Sequence, residues 1–64
     1  MNIHFSPTPF GTVHATATGP AGQVSQLKGK VTRQAKANGL GEQVTRRSHV
    51  IGDTATVFTV YRKA

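Results

Sequence analysis

A single stripe of apolar side chains at helical spacing, Val24, Leu27, Val31 and Ala35, lies between stretches that alternate with a period of two. At about 100° per residue those spacings put the four side chains on one narrow face, which predicts an amphipathic helix over residues 20–38. One helix with one apolar face cannot enclose a core alone. It needs a sheet beneath it, and the flanking segments supply one. Residues 11–18 set Val13, Ala15 and Ala17 on one side and Thr12, His14, Thr16 and Thr18 on the other, the pattern of a half-buried strand. Residues 43–51 and 54–62 read as two more strands, joined by Gly52 and Asp53 in a two-residue turn of the kind that needs a positive φ.

That turn implies a register. It pairs Val50 with Ala55, Ser48 with Val57, Arg46 with Thr59 and Val44 with Tyr61, and so gathers Val44, Val50, Ala55, Val57 and Tyr61 on one face. Ile51, Phe58 and Val60 share the other face with Arg47 and His49. Both faces are partly apolar, so the register leaves open which of them the helix covers. Gly19 and Pro20 end the first strand, and proline suits the first helical position, where a missing amide hydrogen costs nothing. Asn38 and Gly39 form a left-handed stop, Lys36 complements the negative end of the helix dipole, and Leu40 folds back to cap the core. Gly29, inside the helix, costs about 1 kcal/mol relative to alanine and marks a close approach or nothing.

Upstream, Ile3 and Phe5 stand at strand spacing before Ser6, Pro7, Thr8 and Pro9, and proline cannot continue a paired strand. The expected fold class is therefore α+β: one domain over residues 1–64, in strand-helix-strand-strand order, with one amphipathic helix packed on a three-stranded antiparallel sheet. Residues 1–10 form an extended arm or an extra N-terminal edge strand, with Phe5 or Phe10 contributing to the core or to a dimer contact. A chain of 64 residues buries only about 60% of its unfolded surface, which leaves room for one minimal core. Without cysteine, neither a disulfide nor a thiolate zinc site holds it, and packing must. The cytoplasm is the expected compartment, and no membrane partner is expected because no apolar run approaches the roughly 20 residues of a span. Residues 11–18, carrying no charge, are the expected open edge of the sheet, through which a homodimer would pair.

Charge narrows the function. Eight Lys and Arg stand against Glu42 and Asp53, giving a formal net charge of +6. None of the eight lies before Lys28. Such a segregated positive field attracts polyanions and releases their counterions, so nucleic acid, DNA or RNA, is the first expected partner. The candidate phosphate contacts are Lys30, Arg33 and Lys36 on the helix, Arg46 and Arg47 on the hairpin, and Arg62 and Lys63 at its end. Lys28 lies beside the apolar stripe, where its stem can follow the core edge. Arg46 and Arg47 are consecutive on a strand and must face opposite sides. The reading requires these cations to gather on a coherent exposed surface. Phe58 and Tyr61 are candidate stacking platforms for bases. The competing expectation is a small adaptor or inhibitor docking on an acidic protein surface, for which a hairpin edge open to strand addition is suited.

Catalysis has little to work with. Two carboxyl side chains, one of them in a turn, do not make an acid–base pair. His4, His14 and His49 are scattered over separate elements without cysteine or acidic neighbours, so no metal is expected. No cofactor is expected either: residues 19–22 lack the lysine and hydroxyl residue that close a P-loop, and Gly39 and Gly41 do not make a dinucleotide fingerprint. A helix ending in Asn38 and Gly39, followed by a strand bearing Arg47, Ser48 and His49, resembles small mRNA-cleaving toxins of double-stranded-RNA-binding-like fold, in which a strand histidine acts on RNA. The resemblance spans about a third of the chain, lacks the glycine that usually precedes the serine and histidine, and meets a strand before the helix. It implies His49 as a general acid or base. The leading expectation remains a binding module that is not an enzyme.

Overall fold

The computed structural model describes residues 2–63; Met1 and Ala64, the two ends of the 1–64 domain reading, lie outside the described residues. In chain order come β1 (Asn2–Pro7), β2 (Thr12–Pro20), a 3-10 turn (Ala21–Gln23) that runs into helix α1 (Val24–Ala37), then β3 (Leu40–Ile51) and β4 (Thr54–Lys63). The protein is an α+β domain with one helix on an antiparallel four-stranded sheet of order β1-β2-β4-β3.

The fourth strand is the N-terminal segment. Ile3 stands opposite Ala17 and Phe5 opposite Ala15. β1 pairs on one side only and ends at Pro7, a position where proline removes no ladder bond from a second neighbour. The return to β2 is local chemistry. Thr8 N–H donates to the Thr12 carbonyl at 2.9 Å, the Thr8 and Thr12 hydroxyls meet at 2.7 Å, Phe10 N–H donates to the Thr8 hydroxyl at 3.2 Å, and Gly11 supplies a φ of 79°. One expectation is thereby corrected. The strand read as residues 11–18 is not an edge: β2 lies between β1 and β4, and the open edges belong to β1 and β3.

The helix covers the face that carries the small side chains. Ala15, Ala17 and Ala55 are fully buried with Leu27, Val31, Val57 and Thr59, and Ile3, Phe5, Val24 and Leu40 close the margin. Small residues let the helix lie close: a Cβ built on Gly19 would sit 3.1 Å from Leu27 Cδ2. Each fully buried Leu or Val contributes about 1.5–3 kcal/mol, a large share of the stability of so small a core. Phe10 adds nothing to it, being 87% exposed.

The β3–β4 hairpin keeps the expected register at Val50–Ala55, Ser48–Val57 and Arg46–Thr59. Gly52 takes a φ of 58° while no non-glycine residue among those described has a positive φ, as in a type II′ turn. The register then slips. Gln43, not Val44, stands opposite Tyr61, because a bulge inserts Val44 between Gln43 and Thr45 and leaves it half exposed. A second irregularity follows between Gln43 and Leu40, where Gly41 passes so close to β4 that a Cβ would lie 3.1 Å from the Arg62 carbonyl oxygen.

Both helix ends are held by backbone. Ala21 N–H donates to the Asp53 carbonyl at 2.9 Å, so the tip of the hairpin caps the start of the helix, which lacks a side-chain cap. At the other end Asn38 N–H reaches the Gln34 carbonyl and Gly39 N–H, with φ of 70°, the Lys36 carbonyl, both at 3.0 Å. Gly29 meets nothing within 4 Å, so no close approach explains it. Among the described residues no helix is long and apolar enough to cross a membrane.

Candidate nucleic-acid interface

Lys30, Arg33 and Lys36 project from α1 into solvent. Where Gly29 lacks a side chain, the helix surface has a shallow depression lined by Gln26, Lys28, Lys30, Thr32, Arg33 and Arg46. Lys28, half-buried beside the apolar stripe, therefore joins the expected contacts. Its place on the flank between core and solvent follows from the helical spacing, which is the signal that could have added it to the set.

Arg46 comes from β3 on the helix side of the sheet, opposite Thr59. Its Nε–H donates to the Thr59 hydroxyl at 3.3 Å, and its Nη2 donates to the Thr32 hydroxyl at 3.0 Å and to the Tyr61 hydroxyl at 3.3 Å. Thr32 also donates to the Lys28 carbonyl at 3.0 Å, so the guanidinium ties an edge strand to the helix. Nη1 makes no hydrogen bond within the described residues and keeps two N–H groups for a ligand. Tyr61, expected as a stacking platform, instead belongs to the core at 4% exposure, because the helix covers its face of β4.

The remaining expected contacts lie elsewhere. Arg47 stands opposite Phe58 and Arg62 opposite Thr12, both on the face the helix leaves bare. Lys63 ends β4, its N–H donating to the Gly11 carbonyl at 3.0 Å, and with Arg62, Phe10, Thr12 and Val44 it lines a groove at the end of the sheet. The seven expected cations therefore do not form the one coherent surface expected of them: Lys30, Arg33, Lys36 and Arg46 gather around the helix, Arg62 and Lys63 line the sheet end, and Arg47 stands on the bare face that Arg62 shares. Opposite orientation of neighbouring strand residues enforces that division for Arg46 and Arg47.

The bare face has its own chemistry. Cross-strand register aligns His4, Thr16, Phe58 and Arg47 in one row, Ser6, His14, Val60 and Thr45 in the next, and Asn2, Thr18, Thr56 and His49 on the other side. All three histidines of the chain fall here. The His14 ring stands edge-on to Phe58, centroids 5.3 Å apart at 70°. Neither carboxylate belongs to these rows: Asp53 is in the hairpin turn and Glu42 in the bulged start of β3. Sequence reasoning grouped Phe58, Val60, Arg47 and His49 on one hairpin face and His14 with Thr16 on one face of β2, but it did not pair β2 with β4, the step that joins the two sets.

His49 is exposed, and no side-chain hydrogen bond ties it to another described residue, while Ser48 points to the helix side of β3. The arrangement offers it no orienting partner among the described residues, the element on which histidine acid–base chemistry depends. Among the described residues no group of three or more His, Cys, Asp or Glu side chains is placed to hold a metal ion. No protein-family model, curated protein or solved structure matches the chain, so its functional reading rests on this geometry and charge.

Proposed function

We propose that the chain is a small cytoplasmic nucleic-acid-binding module whose helix side holds phosphates. The observation that carries this is the ring of Lys28, Lys30, Arg33 and Arg46 around the Gly29 depression, with Lys36 one turn further along α1 and no acidic residue in its lining. Side chains of this kind position a nucleic acid without reading its sequence. Arg46 differs from the lysines: its hydrogen bonds to Thr32, Thr59 and Tyr61 hold the fork still, so one edge of the guanidinium is presented ready-oriented.

The test is salt dependence. Five neutralised phosphates give a slope of log affinity against log salt of about −4 to −5 on duplex DNA. The variant Lys30→Gln/Arg33→Gln/Lys36→Gln should flatten that slope by roughly 3. A slope near zero in the unaltered protein refutes the reading. The rival, docking on an acidic protein, draws support from the open outer side of β3. It predicts a stoichiometric protein complex that survives nuclease treatment, with no retention of bare DNA or RNA. A third reading, the ribonuclease, would lose cleavage but not affinity on His49→Ala.

A further inference from the structure

We infer that the bare face of the sheet is a platform for unpaired nucleobases, so that the ligand taken on this side is single-stranded nucleic acid. The inference rests on the nucleic-acid reading above and names a ligand class for a surface that reading does not use.

The allocation of aromatic rings is the first argument. The chain has three Phe and one Tyr. Phe5 and Tyr61 pack under the helix, while Phe58, 36% exposed, lies on the bare face of an interior strand and Phe10 stands in solvent at the sheet end. Phe58 is framed rather than covered. Thr16 and Arg47 flank it across the sheet and His14 meets its edge, which leaves the ring available for stacking with a cation beside it. Four residues along β4 from Phe58, about 13 Å at strand rise, comes Arg62, which lines the same end groove as Phe10 and Lys63.

Charge and shape then choose the occupant. No carboxylate falls in the cross-strand rows of this face, whose charged side chains are Arg47 and Arg62, so the partner is anionic. A second copy packed face to face would set those cations against their own equivalents, an unfavourable pairing. Duplex DNA is also disfavoured. Its major groove admits a helix or a two-stranded ribbon, whereas four strands at about 4.8 Å spacing make a plate roughly 14 Å across before side chains are counted. A single strand can lie on such a plate with its base faces free.

The chain contains no tryptophan, so Phe58→Trp installs one reporter on the platform. A short oligothymidylate should quench its emission, while heparin, a polyanion without bases, should bind without quenching. Phe58→Leu, which keeps apolar bulk but no ring, should weaken oligothymidylate binding about tenfold, the scale of one stacked base, with duplex affinity and thermal unfolding unchanged. Equal quenching by heparin, or oligothymidylate binding that leaves both the emission and the Phe58→Leu affinity unaltered, overturns the inference while leaving the helix-side reading intact. Doubling of mass in light scattering with an emission shift before any oligonucleotide is added would assign the face to a second copy and overturn it as well. Failure of every nucleic acid to bind removes both readings together.

Discussion

Replacing Arg46 with alanine tests whether a residue of the proposed phosphate surface also holds the fold together. The side chain reaches three hydroxyls, on Thr59, Thr32 and Tyr61, at 3.3, 3.0 and 3.3 Å. Thr59 is fully buried, so its abandoned hydroxyl costs about 1–3 kcal/mol. The bond to Thr32 counts for little because both ends are near water. The half-buried Arg46 stem adds a packing loss of roughly the same small size. The sum is about 2 kcal/mol. For a chain of 64 residues, whose total stability is roughly 3–10 kcal/mol, that is a fifth or more, equivalent to a fall in Tm of roughly 8–16 °C. Urea unfolding followed by far-ultraviolet circular dichroism measures it, with Lys30→Ala as the exposed control expected within about 0.5 kcal/mol of the unaltered chain. Thr59→Val sharpens the test by removing the hydroxyl that Arg46 leaves behind. In that background Arg46→Ala should cost about 1 kcal/mol less. If the two changes add to within about 0.3 kcal/mol, or if Arg46→Ala matches Lys30→Ala, the guanidinium is not a structural tie and the reasoning fails.

Gly29→Ala, at a helical site with open space around it, should raise stability by about 0.5–1 kcal/mol in the same urea series. Gly41→Ala should have the opposite sign, because its methyl group meets a backbone carbonyl that cannot swing aside; the change should lower the unfolding free energy by about 1–3 kcal/mol. Leu27→Ala, at a fully buried position over Gly19, should cost about 3–5 kcal/mol and leave a partly unfolded population visible by circular dichroism at room temperature.

The helix and the hairpin were legible because each carries a periodic pattern ended by a residue with a definite backbone habit: Gly39 closes one at φ of 70° and Gly52 turns the other at φ of 58°. β1 was half legible. Pro7 and Pro9 read as breakers, and the ladder to β2 depends on a side-chain turn from Thr8 to Thr12 that no periodicity reveals. The choice of covered face was hidden by hydropathy, since Phe58, Val60 and Ile51 stay on the bare side while Arg46 and Ser48 lie on the helix side. Side-chain size held the missing information. Ala15, Ala17, Gly19 and Ala55 line up across the two interior strands, and a helix approaches most closely where residues are smallest. Val44 misled for a different reason, because a bulge moves every later pairing by one residue and nothing in the local composition announces it. For the cations, the alternation rule separated Arg46 from Arg47 in advance, whereas the Arg46 ties to Thr32, Thr59 and Tyr61 depend on distances that only the tertiary fold sets.

β4, the latest of the strands in chain order, is bordered on both sides, by β2 and by β3. Ladder partners such as Ala17 and Val57 lie far apart along the chain, so the entropy of closing a long loop must be met before the interior of the sheet rewards it. On a ribosome, the earlier elements have only a two-stranded ribbon to rest on until that segment emerges. Assembly of this domain is consequently a late, concerted event, and any interruption upstream of Thr54 leaves the helix with the β1–β2 ribbon as its sheet and no Ala55, Val57, Thr59 or Tyr61 to pack on.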